Sequence, residues 1–259
     1  ECEREVRGSL VYRAFCRIDG ERVPDPKTLI RLAQLLAEPV LKDVLARLVA
    51  LGRERRVVRG RRLRVDTTVV ETDIHHPTDS TLLWDTVRVL NRLVGRLDKL
   101  LPRGVRGFTN HRRSARRRLQ QIQRLSAQQR HAQLVPRYRQ LIRVSRQVVA
   151  NARQVLKHTQ HARGKTPLDD LAIQALRKEI EHYCQLGDRV IDQARRRVLE
   201  GEQVPSDQKI YSIFESHTDL IKRGKTQKPI EFGHKVFLAE SACGLITHYR
   251  VLEGNPADE

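Results

Sequence analysis

Between Leu101 and Lys165 the chain carries 17 Lys or Arg and not one Asp or Glu. A block of one sign repels itself, so it can fold only as the outer side of elements whose inner side is apolar. The sequence contains such an element. With Val135 at heptad position a, Val135, Ile142, Val149 and Leu156 fill a, and Tyr138 and Ala152 fall at d. Leu134, Leu141, Val148 and Val155 occupy the adjoining g positions, while Arg137, Arg139, Arg143, Arg146, Arg153 and Lys157 fall at b, c or e. One face is apolar and the other basic, as in a long helix packed along one side. The rest of the chain holds 33 basic and 31 acidic residues, so this block accounts for +17 of the +19 net charge. A merely soluble surface interleaves both signs. A single-signed face points to a polyanion, and the stripe lacks the Trp and Phe anchors of a membrane-adsorbing helix. The rival readings are a solvated helical hairpin, or a scaffold that forms a homodimer through the Val135–Leu156 stripe.

Length and composition set outer bounds. The chain's 259 residues allow one large domain or two small ones. A hydrophobic content of 39% with 4% aromatics permits a thin, helix-rich core. No apolar run approaches the ~18 residues of a membrane span, and no basic-then-apolar signal opens the chain. Cys2, Cys16, Cys184 and Cys243 lie far apart with no C-x-x-C pair, which argues against a disulfide scaffold or a cysteine zinc site. The expectation is a reduced, cytoplasmic, nucleoid-associated protein. There is no methionine, and the end, Asn255-Pro256-Ala257-Asp258-Glu259, reads as a helix start. Both features suggest an internal piece of a longer reading frame.

Periodicity gives the order of elements. Val6, Leu10, Val11, Ala14 and Phe15 recur at helical spacing. Asp25-Pro26 supplies an N-cap and a first-turn proline for a second helix, which Glu38-Pro39 breaks or restarts and which runs on to Gly52. This helix–break–helix outline is a weak DNA-binding signal. Residues 53–64 hold seven Arg and one Glu. From Leu63 the period changes to two, predicting a strand through Val70. Asp79 or Ser80 is expected to cap the following helix, with Leu82, Leu83, Val87, Leu90, Val94 and Leu97 inside. Basic helices then span about 111–162, and a partner helix runs from Thr166-Pro167 to Gly201 to form an antiparallel hairpin. Two strands close the chain. Ile230, Phe232, His234, Val236 and Leu238 share one face of the first, and Ser241-Ala242-Cys243-Gly244 turns into the second.

Among carboxylates, Asp66 stands out in Leu63-Arg64-Val65-Asp66-Thr67-Thr68-Val69-Val70. An acid in mid-strand is expensive unless its charge is used, and a divalent metal is one use. Pairing with a neighbouring arginine is the other. Asp73 and Asp79 read as capping and turn residues, and Glu71 as solvated. His75 and His76 are adjacent and diverge; His158 and His161 sit in a basic helix; His234 is expected to be buried and hydrogen-bonded. No H-E-x-x-H, P-loop, G-x-G-x-x-G or serine nucleophile elbow is present.

Arg64-Val65-Asp66-Thr67-Thr68-Val69-Val70-Glu71, followed by Ile74-His75-His76-Pro77-Thr78-Asp79-Ser80-Thr81-Leu82-Leu83, resembles the first catalytic segment of bacterial insertion-sequence DDE transposases. Ser212-Ile213-Phe214-Glu215-Ser216-His217-Thr218, Gly224-Lys225, Pro229-Ile230-Glu231-Phe232-Gly233-His234-Lys235-Val236 and Leu252-Glu253-Gly254-Asn255-Pro256-Ala257-Asp258 are similar to that family's next strands. Tyr12-Arg13-Ala14-Phe15-Cys16 and Val23-Pro24-Asp25-Pro26-Lys27-Thr28-Leu29 look like its N-terminal helical domain.

The resemblance implies a ribonuclease-H-like catalytic domain in which an Asp, Asp, Glu triad holds two Mg²⁺ or Mn²⁺ for strand cleavage and transfer on double-stranded DNA, both transposon ends and target. Asp66 matches the first acid; the second Asp and the Glu would fall beyond Glu259. It also implies an α+β, predominantly helical fold, with a partial ribonuclease-H-like sheet (one strand plus a later hairpin) interrupted by a long basic helical insertion. The corresponding division is an N-terminal helical domain over 1–52, a basic linker and first catalytic strand over 53–80, a helical insertion over 81–203, and later strands over 204–259. Expected phosphate contacts are Arg61 and Arg62 of the linker, Arg112, Arg113, Arg116, Arg117, Arg118, Arg139, Arg143 and Arg146 of the insertion, and Lys225 and Lys235. The alternative is a catalytically dead DNA-binding remnant, for which the basic hairpin alone suffices.

Overall fold

The computed structural model describes residues 2–20, 22–222 and 229–256. Its chain is α+β and predominantly helical, with a small antiparallel sheet, and divides into two compact units.

The first unit comprises residues 1–67 and 237–250. Its opening segment is two short helices, α1 (Cys2–Gly8) and α2 (Leu10–Phe15), rather than one. Ser9 separates them because its hydroxyl accepts from the Tyr12 amide at 3.3 Å and caps α2. The helix α3 (Pro26–Leu35) starts as the sequence predicts, with Asp25 Oδ1 accepting from the Thr28 amide at 2.6 Å. A second start at Pro39 gives α4 (Glu38–Glu54). Residues of β3 (Ile230–Ser241) and β4 (Ile246–Val251) form the hairpin end, closed where the Gly244 amide donates to the Ser241 carbonyl. Gly52 lies close beneath Val58 and Leu245, so α4 approaches the hairpin there. The apolar side expected of these helices is largely uncovered: Leu10 and Phe15 are more than four-fifths exposed, and Leu41, Val44, Leu48 and Leu51 are also exposed. Among the described residues, Val23, Val49, Val58 and Ala239 are the buried apolar residues of this unit.

The second unit comprises residues 68–236 and 251–259. Four helices build it: α5 (Asp79–Leu100), α6 (Arg112–Gln123), α7 (Ala127–His158) and α8 (Pro167–Ala194). Three begin with reciprocal capping boxes, at Thr78, Ser126 and Thr166. The cap of α5 is therefore Thr78, one residue before the expected Asp79, because Thr78 is the residue with extended backbone and Asp79 is already helical. Leu83, Leu90, Leu97, Leu141, Val148, Ile180 and Val190 are core residues with no more than trace exposure. Tyr138, Leu141, Ile142, Val148, Val149, Ala152 and Val155 of the basic helix's stripe are buried in this same core. Packing within the chain consumes the stripe, which removes it as a dimer seam. A π-helical turn, Arg195–Leu199, extends α8 to just short of Gly201.

The boundary between the units falls within β1 (Leu63–Glu71): Leu63–Thr67 belong to the first unit and Thr68–Glu71 to the second, and these later residues pair with β3. The Thr72 amide donates to the Phe232 carbonyl at 3.1 Å just past the strand end. A further strand, β2 (Asp219–Lys222), flanks β3 on the other side, with Asp219 opposite Gly233 and Lys222 opposite Ile230. It adds to the single strand plus hairpin read from the sequence. The two faces of β3 are not divided as expected: Glu231, Gly233 and Lys235 of the side expected outward are buried, as is Val236 of the other side, while Ile230 is exposed.

Candidate nucleic-acid interface

The helix α6 has the sequence RRSARRRLQQIQ, and its apolar positions Ala115, Leu119 and Ile122 are buried at spacings of four and three. That places Arg112, Arg113, Arg116 and Arg117 outward, all exposed. Arg118 is half-buried and donates to the Ser114 carbonyl at 3.0 Å, so it braces α6 on itself. On α7 the same logic leaves Arg139, Arg143 and Arg146 exposed, along a groove of about 510 Å³ that also involves Pro136, Ile142 and Leu199. Among the described residues, no carboxylate pairs with any of these seven exposed arginines; Arg153, by contrast, pairs with Asp188. The positive charge of these side chains, in a groove beside Trp84 for α6 and in another beside Leu199 for α7, is thus left for solvent or for a ligand.

The remaining basic residues scatter. Arg61 and Arg62 are exposed in the first unit, just before β1. Lys225 lies outside the described residues. Lys235 is buried, and its ammonium donates to the Pro256 carbonyl at 2.6 Å. A phosphate contact is not retained for it, because this side chain is turned inward and its ammonium is already bonded to a backbone carbonyl.

Asp66 is exposed on β1, in the first unit. Its Oδ1 accepts the Thr67 amide hydrogen at 2.8 Å. Asp66 is the fourth of the nine residues of β1, mid-strand as read from the sequence, but it is exposed, so the strand position itself imposes no desolvation cost. As an exposed hard oxygen donor Asp66 fits one position of a Mg²⁺ shell. Among the described residues, no three His, Cys, Asp or Glu side chains converge on such a position.

Two constellations were not legible in the sequence. Asp79, 6% exposed, accepts from Gln193 Nε2 at 2.8 Å and pairs with the Arg197 guanidinium at 2.7 Å. It is an anchor between α5 and the π-turn, not a cap. His217 Nδ1 and His234 Nε2 lie 2.8 Å apart with stacked rings, so one imidazole donates to the other. Glu215 sits 2.8 Å from the outer nitrogen of His217, and Asp219 3.6 Å from that of His234. His234 is hydrogen-bonded as expected but only partly buried. Spacing could not reveal either group, because strand pairing and helix packing bring these residues together. His75 pairs with Asp85 at 3.4 Å, and His76 meets the Phe232 ring edge-on.

Comparison with protein-family models, curated proteins and solved structures finds no match for this chain. Among the described residues no helix is long and apolar enough to cross a membrane.

Proposed function

We propose that the chain is part of an insertion-sequence DDE transposase, with Asp66 as the first acid of its metal site and the exposed arginines of α6 and α7 gripping DNA backbone. The observation that carries this reading is the strand order. The residue blocks similar to the family's catalytic strands lie on either side of α5–α8 in the sequence, yet β1 pairs directly with β3, and β3 with β4. The helical excursion is thus inserted between two neighbouring strands without separating them, which agrees with a ribonuclease-H-like sheet. The chemistry that bound Mg²⁺ would supply in such a domain is activation of water or of a DNA 3′-hydroxyl for attack on a phosphodiester. Asp66 would supply one ligand, and the basic face would position the duplex without reading its sequence.

The test begins with the reading frame beyond the codon for Glu259. The longer product is assayed for Mg²⁺-dependent cleavage and joining of DNA carrying the element's ends. Asp66→Ala is expected to abolish both reactions while leaving DNA binding intact; retained strand transfer would remove Asp66 from the site. A second reading, DNA binding without catalysis, is favoured by one observation: the seven exposed arginines of α6 and α7 all lie in the second unit, to which Asp66 does not belong. A stop codon directly after Glu259 would select it.

A further inference from the structure

Trp84 is the single tryptophan of the chain and lies in α5. It packs partly against the core, and its other side lines a groove of about 430 Å³ with Arg112, Arg113, Arg116, Arg117 and Gln120. No acidic residue lines this groove. Among the described residues no ring and no guanidinium stacks on the indole. The four arginines form two pairs spaced four residues apart, with about 6 Å along the helix axis between partners. Like charges at that spacing destabilise a helix, and α6 contains no acid to relieve them. An anion in the groove would.

We propose that this groove binds an unpaired nucleotide of single-stranded DNA, its base stacked on Trp84 and its flanking phosphates held by Arg112, Arg113, Arg116 and Arg117. Phosphate alone would need no aromatic surface, and duplex DNA offers no free base face to one. An aromatic platform inside a basic groove is the combination by which proteins hold single strands with little sequence preference. The volume suits one nucleotide, near the lower end of small-ligand sites. This inference rests on the reading of α6 as a DNA-contacting helix and adds the unpaired base as its ligand.

With one tryptophan, the chain reports on its own groove. Emission is excited at the red edge of the absorption, where the five tyrosines are silent. The probe is an oligothymidylate of about ten nucleotides, within the site sizes of single-strand grooves. It is compared with an abasic strand of equal length and with a duplex. The expected result is quenching by oligothymidylate, and binding without quenching by the abasic strand. Trp84→Leu, which keeps an apolar side chain but removes the ring, should weaken oligothymidylate binding about tenfold, read by anisotropy of a labelled strand. Trp84→Phe, which keeps a ring, should bind nearly as the parent does. Equal affinity for oligothymidylate and abasic strand, with no quenching, overturns the proposal but leaves the basic face as a DNA contact. Failure of all three nucleic acids to bind at low salt overturns both.

Discussion

A Cβ at Gly233 would collide with the carbonyl oxygen of Val70 and come within 2.8 Å of the Glu71 Cα. Only glycine lets β3 approach β1 this closely, and both contacts are backbone, which cannot swing away. Gly233→Ala should therefore force the strands apart and destabilise the fold by about 2–4 kcal/mol, at or above the usual cost of overpacking. Urea unfolding measures the loss, and hydrogen exchange at the Thr72 amide, bonded to the Phe232 carbonyl, should locate it. Gly95→Ala is the control. Nothing lies within 4 Å of its Cβ position in α5, so it should stabilise by about 0.5–1 kcal/mol. Equal, small effects of the two substitutions would mean that β1 and β3 are not held as described.

The buried carboxylate of Asp79 gives the second prediction. Arg197→Ala removes its ion-pair partner and leaves it with the Gln193 hydrogen bond and the weaker attraction of the Lys209 charge. Breaking a fully buried pair costs about 3–5 kcal/mol; because the Arg197 side chain is 39% exposed, about 2 kcal/mol is expected here. Asparagine at position 79 can still accept from Gln193 and needs no counter-ion. Adding Asp79→Asn to Arg197→Ala should thus recover much of the loss in a double-mutant cycle. Strictly additive losses would show that the two residues are not coupled.

Much of the second unit was legible because its signals are long and redundant. The stripe from Leu134 to Leu156 repeats over several turns, so its phase is overdetermined, and the arginines opposite follow from it. Caps were harder. Thr78, Asp79 and Ser80 all carry a side-chain oxygen, and only the backbone conformation at Thr78 decides among them. The four residues of β2 are too few to show alternation. The phase of β3 misled because Glu231 and Lys235, which pattern alone sends outward, are buried with partners while Ile230 is left outside. Asp66 is singled out by its motif alone, and its exposure depends on where along β1 the packing begins, which no local pattern encodes.

Cysteine chemistry separates the two units experimentally. Burial in the α7–α8 core pushes the Cys184 thiol up to about 12. Cys243, exposed in the β3–β4 turn, is held below the usual thiol range by hydrogen bonds involving the Ser241 hydroxyl and the Leu245 backbone. The thiolate is the reactive form. Iodoacetamide at mildly alkaline pH should therefore label Cys243 at least about a hundredfold faster than Cys184 in the native chain, with the difference erased in urea. Peptide mass mapping reads both rates. Matched native rates would contradict the buried position of Cys184.

The same burial predicts an alkaline loss of stability. Cys184, and Tyr211, whose phenol burial also pushes up to about 12, hold their protons more tightly folded than unfolded. The folded chain therefore binds more protons between their ordinary values, about 9 and 10, and about 12. Their contribution is complete below that window and falls as pH rises through it, by at most about 1.4 kcal/mol per pH unit for each group. Cys184→Ala should flatten the fall that begins near pH 9 and leave the tyrosine's part above it. Urea midpoints across the alkaline range provide the measurement, and an unchanged slope in the variant would exclude the thiol.

Salt should control DNA binding more than sequence does. If about 6–10 of the exposed arginines touch phosphates, affinity for a duplex falls about 10³–10⁵ between roughly 50 and 200 mM salt. Each arginine lost from that set should reduce the slope of log affinity against log salt by about one. The triple substitution of Arg139, Arg143 and Arg146 by Ala should therefore reduce the slope by about three, because no carboxylate among the described residues shares their charge. Arg153→Ala should change it little, since its partner Asp188 already neutralises that position. The contrast between the two variants is the decisive comparison. If net charge alone governed binding, the Arg153 variant would lose about as much slope as any single member of the triple; if the unpaired face grips DNA, only the triple will.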